Sequence, residues 1–439
     1  MSGASARRDF GERGRPLSQS EVSAIRADFP TLNLEVNGRA INYLDSAATA
    51  LKPRSVLDAE REFQIGHTSA VHRGAHTLAA QATELFEDAR VAVARFVGAR
   101  DDEIVWTSNA TEGLNLVAYA ISNASLGRGG PQAERFRLGP GDEIVVTEME
   151  HHANLTPWFE LAARTGASMR FIGLDDDGSL RQQDIYEIIC ERTRILAFTH
   201  VSNVLGTINP VHQLVQRANE VGALTVLDAC QSVPNRAVDL VGLGVDFAVF
   251  SGHKMLGPTG IGALFGRSEL LNALPPFLTG GSMITTVTME SVEYLPAPLR
   301  FEAGTQRVSQ AIALAAAVSY LDRVGLDRIA AHERRLAARM LDGLATVERV
   351  QVLGPPAGVD RAGLVSFDID GVHAHDVGQF LDDRGIAVRV GHHCAQPLHR
   401  RFGLTASTRA SSYLYTTDAE VDEFVSRIRD VPAYFGLVP

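Results

Sequence analysis

The chain has 439 residues, with 41 Lys and Arg against 52 Asp and Glu, which gives a formal net charge of −11. This acidic balance argues against a nucleic-acid partner, because binding to a phosphate backbone depends on clustered Lys and Arg. At roughly 150 residues per domain, the length predicts two or three domains, each large enough to bury a sizeable core.

The sequence does not favour a membrane-spanning protein, an exported protein or a protein held together by disulfides. No apolar stretch reaches the ~18 residues needed to cross a bilayer. Arg7 and Arg8 form a twin-arginine pair, but acidic and glycine residues follow where a signal peptide has its apolar segment, so the protein is expected in the cytoplasm. Cys190, Cys230 and Cys394 fit neither a disulfide framework nor a Cys-x-x-Cys motif. Any cysteine chemistry is therefore expected to involve single thiols.

Taken in chain order, the pattern predicts a flexible tail and then a large domain. Residues 1–20 are rich in Ser, Gly and Arg and predict the tail. In residues 21–300, helical patterns such as that of residues 81–97 alternate with short apolar runs at residues 103–107, 143–147, 195–199, 224–227 and 247–250. Such runs, separated by helices, are typical of a mainly parallel α/β sheet that is covered on both faces.

Two further segments complete the predicted organisation. Residues 122–141 are polar and glycine-rich and predict a surface insertion. In residues 301–439, a long helical stretch (311–347) precedes a strand (363–369) and a helix (376–384). This order predicts a second, smaller α/β domain at the C-terminus.

Polar residues that follow the apolar runs are the first candidates for a site, because ligands bind beyond the carboxyl ends of parallel strands. The first run leads into Ser108-Asn109-Ala110-Thr111-Glu112, just before a helical pattern. The free N–H groups at such a helix start suit a phosphate. The same residues also fit a simple helix N-cap, and this turn alone leaves both interpretations open.

Asp228 and Lys254 follow two later runs. A carboxylate at the end of a buried strand is either functional or structurally paired, and the position of Asp228 alone does not decide. Lys254 could form a Schiff base, although a lone lysine is more often a solvated loop residue. Together, a phosphate-binding helix start, a buried acid and a Schiff-base lysine are three requirements of pyridoxal phosphate.

Longer motifs indicate a family. Glu150-His151-His152-Ala153-Asn154, Asp228-Ala229-Cys230-Gln231 and Ser251-Gly252-His253-Lys254 resemble segments of the class V aminotransferase-like, fold-type I pyridoxal-phosphate enzymes. Arg389-Val390-Gly391-His392-His393-Cys394-Ala395-Gln396-Pro397 and Thr408-Arg409-Ala410-Ser411 resemble a SufS-type (group II) cysteine desulfurase. The resemblance runs from about Ile25 to the C-terminus. It implies a mainly parallel, seven-stranded sheet in the large domain, the first part of which can pack on the small domain. It also implies a smaller α/β C-terminal domain that carries the nucleophile loop, and a homodimer.

The resemblance also implies a role for each matching residue. The catalytic residues would be Cys394, Lys254 and His151, with Lys254 bound to the cofactor and His151 stacked on its ring. The other cofactor contacts would come from Asp228 at the ring nitrogen, Gln231 at the phenolic oxygen, Thr111, Ser251 and His253 at the phosphate, Ala110 beside them, and Thr305 from the partner subunit. The substrate carboxylate would be held by Asn203 and Arg409, because a guanidinium can grip both of its oxygens, and Arg389 would also bind the substrate.

The implied reaction converts L-cysteine to L-alanine and leaves the sulfur on Cys394 as a persulfide. The resemblance implies that this sulfur supplies iron–sulfur-cluster assembly through an acceptor protein of the SufE or SufU kind. Cys190, in an apolar helix over residues 185–190, and Cys230, beside Asp228, are interpreted as packing residues.

Two alternatives stay open. The first is a selenocysteine lyase or another class V aminotransferase-like enzyme. The second is a zinc-binding scaffold built on His392, His393, Cys394 and His399, although their spacing matches no common zinc motif and no metal is expected.

Overall fold

The computed structural model of the chain describes residues 14–437. In chain order, its α-helices are α1 (Gln19–Arg26), α2 (Arg54–Gly66), α3 (Thr77–Phe96), α4 (Ala110–Ser125), α5 (Thr156–Thr165), α6 (Gln182–Ile188), α7 (Val211–Val221), α8 (Leu240–Leu243), α9 (Ser268–Ala273), α10 (Val308–Val324), α11 (Leu326–Leu344), α12 (Ala374–Asp382), α13 (Gln396–Arg401) and α14 (Asp418–Tyr434). None of the helices in this part of the chain is both long and apolar enough to cross a membrane.

The strands, also in chain order, are β1 (Glu35–Val36), β2 (Arg39–Ala40), β3 (Asn42–Tyr43), β4 (Ile104–Thr107), β5 (Glu143–Thr147), β6 (Ser168–Ile172), β7 (Thr193–Thr199), β8 (Leu224–Asp228), β9 (Phe247–Ser251), β10 (Gly262–Gly266), β11 (Ile284–Val287), β12 (Val292–Tyr294), β13 (Val350–Leu353), β14 (Leu364–Ile369), β15 (Ile386–Ala387), β16 (Arg389–Gly391) and β17 (Ser407–Ser411).

The large domain is built on a seven-stranded sheet in the order β4-β10-β9-β8-β7-β5-β6. Neighbours from β9 to β6 pair in parallel, whereas β10 runs antiparallel to both β9 and β4. The predicted mainly parallel α/β sheet is therefore confirmed. In β9, Phe247 and Val249 pack in one core, and Ala248 and Phe250 pack in the other. Because both faces are buried, these strands are almost continuously apolar in the sequence.

The predicted flexible tail, residues 1–20, extends too far along the chain. Its first thirteen residues lie outside the described residues. Leu17, however, is buried, and Ser18 caps α1: its side chain accepts the N–H of Glu21, while the Glu21 carboxylate accepts the N–H of Ser18 at 2.8 Å. Ser-x-x-Glu is a capping-box signature, so the sequence itself contained the signal for this helix.

The predicted helical stretch of residues 311–347 is in fact two helices, α10 and α11, which meet at Gly325. Gly325 has φ +93°, a left-handed value that glycine adopts without a Cβ clash. α10 packs against α2 and α3 of the large domain. α11 packs in the core of the small domain through Leu336 and Met340. α10 therefore packs with the large domain and α11 with the small one, and the boundary after residue 300 stays a prediction.

The small domain has a four-stranded antiparallel sheet in the order β13-β14-β17-β16, with α11, α12 and α14 packed around it. The N-terminal segment joins this domain, because β3 pairs in parallel with β15 and Asp45 bridges to Ser411. This pairing brings Asp45 alongside β17, the strand that carries Arg409.

The predicted surface insertion, residues 122–141, is only partly a surface loop. α4 continues to Ser125, and a 3-10 helix, Pro131–Phe136, follows it. Phe136 is 1% exposed and packs with Leu138 in the core on one face of the large sheet. The average polarity of the segment concealed these two apolar residues, which is why composition alone predicted a solvated loop.

A buried ion pair joins Arg90 of α3 to Glu302, in the chain that precedes α10. The Arg90 guanidinium donates to both carboxylate oxygens of Glu302, at 2.6 and 2.9 Å, and to the Ile104 carbonyl oxygen at 2.9 Å. Glu302 also accepts the N–H of Trp106 at 2.8 Å. The pair therefore fixes α3 and the edge strand β4 to the segment that leads into α10.

Glu302→Ala is expected to lower the free energy of unfolding by about 3–5 kcal/mol, because it leaves the Arg90 charge buried without its partner. Urea unfolding followed by circular dichroism measures this loss. Glu87→Ala is the matched control: Glu87 also pairs with Arg90, at 2.8 Å, but its side chain is 38% exposed. The control is expected to cost at most about 1 kcal/mol. Equal losses in the two variants would contradict the central role of Glu302.

Candidate active site

One cavity of about 440 Å³ lies at the carboxyl ends of the parallel strands. Because β4, β5, β7, β8 and β9 run in the same direction, the residues that follow them meet at one edge of the sheet. The small domain contributes Arg389, Cys394 and Arg409 to the wall of the cavity. Every site residue predicted from the sequence, except Thr305, lines this cavity.

The start of α4 meets the end of β9 in the wall of the cavity. The Ser251 hydroxyl oxygen accepts the N–H of Ala110 at 2.9 Å and lies 3.9 Å from the Cys230 thiol, and a hydroxyl hydrogen can rotate to donate to an anion. Thr111 and His253 also line the cavity. Asn109 caps α4, so the helix-cap interpretation is correct as well. Hydroxyl donors beside the positive end of a helix dipole suit a phosphate group.

Asp228 is the last residue of β8 and is buried. Its Oδ1 accepts the N–H of Cys230 at 2.9 Å, and this is the hydrogen bond that the Asp228 side chain makes within the described residues. A buried carboxylate with so little compensation favours a cationic partner in the cavity. Nearby, the Gln231 side chain donates to the Ala47 carbonyl oxygen at 2.8 Å, which fixes the amide at the cavity wall.

Lys254 lies in a 3-10 turn, Gly252–Lys254, directly after β9. This turn is tightly packed: a Cβ on Gly252 would lie 2.9 Å from Cγ2 of Ile261, so the position requires glycine. The Lys254 side chain lines the cavity. Burial, followed by the charge of Lys254, lowers the pKa of His253 to about 4, so this imidazole is neutral near pH 7.

His151 follows β5 and lines the cavity. Its Nδ1 accepts the N–H of Ala153 at 3.1 Å, so the neutral ring carries its hydrogen on Nε2. Burial, followed by the charge of Lys254, lowers the pKa of His151 to about 4. The preceding residue, Glu150, anchors the segment by accepting hydrogen bonds from Thr147, Asn154 and Thr199. His151 is therefore a firmly placed, neutral hydrogen-bond donor.

Arg409 enters the cavity from β17 and is almost fully buried. Its Nη1 donates to the Asn203 carbonyl oxygen at 2.8 Å, and its Nη2 donates to Asp45 Oδ1 at 3.3 Å. Within the described residues its Nε has no hydrogen-bond partner. Burial, partly offset by Asp45, lowers the pKa of Arg409 to about 10, which still leaves the group charged near pH 7. Arg389, by contrast, is 44% exposed and lies 4.0 Å from Asp45.

Cys394 lies in the loop between β16 and α13, where its free, half-buried thiol lines the cavity. Cys230 lines the cavity too, but burial, followed by the charge of Asp228, raises the pKa of its thiol and disfavours the thiolate. Cys190 does not line the cavity. The helix predicted for it ends at Ile188, and its Sγ lies 3.6 Å from a Glu143 carboxylate oxygen. Cys394 is therefore the cysteine that lines the cavity with a partly exposed thiol.

Residues 42–424 match the family model described as Aminotransferase class-V. The chain belongs to this family. Class-V aminotransferases are fold-type I pyridoxal-phosphate enzymes, so the class of enzyme and the cofactor predicted from the sequence motifs are confirmed.

Several relatives of this chain are named as cysteine desulfurases. It is 55% identical over 421 residues to "Probable cysteine desulfurase 2" of Mycobacterium leprae, which covers 96% of this chain and 99% of that protein. It is 50% identical over 418 residues to a "Probable cysteine desulfurase" of Streptomyces coelicolor, over 95% of this chain and 98% of that protein. Among solved structures, an apo cysteine desulfurase from Thermococcus onnurineus NA1 superposes with a TM-score of 0.86 at 39% identity, over 93% of this chain and 97% of that chain.

The residues that line the cavity fit pyridoxal phosphate. The under-compensated carboxylate of Asp228 suits the cationic ring nitrogen, and Lys254 offers an amine for the aldehyde carbon. The hydroxyl of Ser251, with Thr111 and the start of α4, suits the phosphate. The cofactor would therefore be held by hydroxyl and helix-start donors, one carboxylate and one amine, which all line the same cavity.

Thr305 is exposed and does not line the cavity of its own chain, so its predicted role depends on a second subunit. Conversely, sequence reasoning missed Asp45, which pairs with Arg409, and Ala47, whose carbonyl oxygen holds Gln231. A signal was present in Ile41-Asn42-Tyr43-Leu44, a mostly apolar run that ends in Asp45.

The four residues of the zinc-scaffold alternative are not arranged around a metal. Among residues 14–437, no group of three or more His, Cys, Asp or Glu side chains is placed to hold a metal ion. The rings of His393 and His399 both contact the Ser407 hydroxyl, at 3.0 and 2.9 Å. Their geometry therefore supports a structural role in the loop around Cys394.

Proposed function

We propose that this chain is a group II, SufS-type cysteine desulfurase that converts L-cysteine to L-alanine and keeps the sulfur on Cys394 as a persulfide. The observation that carries the proposal is the free Cys394 thiol in the wall of the same cavity as Lys254, Asp228 and Arg409. The names of relatives up to 55% identical support the same reaction.

Arg409 would bind the substrate through its carboxylate. The guanidinium is charged and buried, and its Nε has no partner among the described residues. Asp45 and the Asn203 carbonyl oxygen hold its two Nη atoms, which fixes the plane of the guanidinium. A substrate held in this orientation has its α-carbon and sulfur placed within the cavity.

Lys254 would move the proton of the substrate α-carbon, with its Nζ as general base and then as general acid. The bound cofactor supplies an electron-withdrawing ring that stabilises negative charge at that carbon. Asp228 would keep the ring nitrogen protonated. Neutral His151, with its hydrogen on Nε2, would lie against the ring and donate a hydrogen bond.

Cys394 would take the sulfur by direct attack of its thiolate on the substrate sulfur atom. An S–S bond forms to Cys394 Sγ while the substrate Cβ–S bond breaks, and the electron pair of that bond stays on carbon, where a proton completes the alanine methyl group. The products are L-alanine and a persulfide on Cys394, so atoms and electrons balance without a further oxidant. Cys230 is a poor substitute because the pKa of its thiol is raised.

Arg409→Lys is expected to raise KM for L-cysteine by about 10- to 100-fold, because a point charge replaces a planar fork in a charge-assisted contact. Steady-state assays of sulfide release measure this change. Arg389→Lys is the comparison, because Arg389 is the second arginine predicted to bind the substrate and also lines the cavity. Since the Arg389 side chain is 44% exposed, its replacement is expected to raise KM by less than the replacement of Arg409 does. A larger effect at Arg389 than at Arg409 would reassign the carboxylate contact.

The persulfide sulfur would supply iron–sulfur-cluster assembly through an acceptor of the SufE or SufU kind. The enzyme would act as a homodimer in which Thr305 of each chain completes the phosphate site of the other, since Thr305 lies outside its own cavity. We place it in the cytoplasm, because a reducing compartment preserves the free thiol that the reaction needs.

Product analysis tests the proposed reaction. The cofactor-loaded enzyme, given L-cysteine and a reducing thiol, is expected to form L-alanine and sulfide in equal amounts. L-selenocysteine is assayed in parallel, because a selenocysteine lyase would turn it over far faster than L-cysteine. A keto acid product, or turnover confined to L-selenocysteine, would contradict the proposal and favour another class-V enzyme.

A further inference from the structure

The loop that carries Cys394 is held in an unusual backbone conformation. His393 and Cys394 have φ +49° and +57°, in the left-handed region that residues with a Cβ rarely adopt. Such a conformation persists only when surrounding contacts hold it in place. The contacts on each side of Cys394 therefore decide how firmly the thiol is positioned.

Contacts from Asn203 and Ser407 hold the segment before Cys394. The Asn203 side chain donates to the His393 carbonyl oxygen at 2.8 Å. The His393 ring contacts the Ser407 hydroxyl at 3.0 Å. These contacts fix His393 but do not reach beyond Cys394.

His152 contacts the loop at Cys394 and again beyond it. Its backbone N–H donates to the Cys394 carbonyl oxygen at 2.6 Å. Its ring Nε2 accepts the N–H of Gln396 at 3.1 Å. One residue of the large domain thus contacts the loop at Cys394 and at Gln396, on either side of Ala395, and it comes directly after the site residue His151.

The ring of His152 must be neutral to make the second contact. An Nε2 that accepts an N–H carries no hydrogen, so the hydrogen is on Nδ1. Burial, followed by the charge of His392, lowers the pKa of His152, which favours this neutral form near pH 7. The His392 ring lies 5.4 Å away, centroid to centroid, and its Nδ1 accepts the N–H of Cys394 at 3.1 Å.

We propose that His152 is a positioning residue for the nucleophile: its backbone N–H and ring Nε2 together hold residues 394–396 in the conformation that directs the Cys394 thiol into the cavity. The inference deepens the proposed function and rests on it only for the statement that the held thiol is the nucleophile. The family comparisons assign no role to this contact.

The test compares three replacements at position 152. His152→Leu keeps the bulk of the ring but has no acceptor. His152→Gln places an amide oxygen near the position of Nε2 and is expected to restore the contact. The His152→Asn side chain carries an acceptor but is too short to reach Gln396. It serves as a second variant without the contact if the leucine variant does not fold. His212→Leu, on the exposed face of α7, is the control for general effects of removing a histidine.

Two measurements on protein without cofactor report the position of the loop. The first is the rate at which iodoacetamide alkylates Cys394, followed by peptide mass spectrometry. The second is hydrogen exchange of the peptide containing the Gln396 amide. With the contact removed, alkylation is expected to be roughly fivefold faster and the Gln396 amide to lose protection, in line with one lost hydrogen bond. The Gln variant and the His212→Leu control are expected to match the parent.

Turnover by the cofactor-loaded enzyme gives the functional readout. His152→Leu is expected to lower kcat about fivefold or more with KM within twofold, because the substrate still binds while the thiol is misplaced. Parent-like alkylation and exchange in both the Leu and Asn variants would overturn the inference. If the loop measurements change as expected but no variant, nor the parent, releases sulfide from L-cysteine, the positioning role stands and the proposed function fails.

Discussion

Cys394→Ala is expected to lower the rate of L-cysteine desulfuration by at least about 10³-fold while cofactor binding is unchanged, because the variant lacks the nucleophile that breaks the Cβ–S bond. Cys394 is half-buried in the wall of the cavity, and neither other cysteine is equivalent: burial raises the pKa of the Cys230 thiol, and Cys190 lies outside the cavity. Sulfide release and alanine formation, measured together, give the loss.

Cys190→Ala is the matched control and is expected to retain the parent rate within about twofold, as is usual for a substitution away from the site. L-selenocysteine adds a second comparison for Cys394→Ala. If the chain were a selenocysteine lyase, Cys394→Ala would keep substantial activity on L-selenocysteine. If it is a cysteine desulfurase, the variant loses its activity on L-cysteine. Parent-like sulfide release by Cys394→Ala would remove the nucleophile from the mechanism.

Lys254→Ala is expected to abolish the visible absorbance of lysine-bound cofactor and to lower turnover by at least about 10²- to 10⁴-fold, because the same Nζ would hold the cofactor and move the substrate proton. Spectra of the purified variant after addition of pyridoxal phosphate measure the first effect. Borohydride reduction of the parent followed by peptide mapping then locates the modified amine.

The sequence offers an unusually clean control for this experiment. Lys52 and Lys254 are the two lysines among 439 residues. Lys52 is a credible rival, since burial lowers its pKa to about 8. Its Nζ, however, donates to the carbonyl oxygens of Ala50 and His253, which gives it a structural role. Lys52→Arg is expected to keep the absorbance, and reduction of cofactor onto Lys52 would contradict the assignment of Lys254.

Much of the site could be predicted because it follows from strand ends, which are local features of the sequence. Asp228 and Lys254 come directly after buried apolar runs, and parallel strands necessarily bring such residues to one edge of a sheet. The small-domain residues Cys394 and Arg409 were predicted through a family resemblance, because no local pattern places them beside that edge.

The features of the fold and site that the sequence did not predict depend mostly on contacts between distant parts of the chain. Asp45 and Arg409 are separated by 364 residues and meet because β3 pairs with β15 and Asp45 bridges to Ser411 of β17. The direction of β10 is set by its partners β9 and β4, and no residue within Gly262–Gly266 distinguishes an antiparallel strand from a parallel one. The break at Gly325 depends on a single glycine within a long helical pattern, where glycine is a weak signal.

The central claim is that the Cys394 thiol itself accepts the sulfur of the substrate. Mass spectrometry of the peptides after brief incubation of the cofactor-loaded enzyme with L-cysteine, without a reducing thiol, tests it most directly. The claim predicts one added sulfur atom on the peptide that carries Cys394 and none on the peptides that carry Cys190 or Cys230. Alanine formation with an unmodified Cys394 peptide, or with the sulfur on another cysteine, would contradict it.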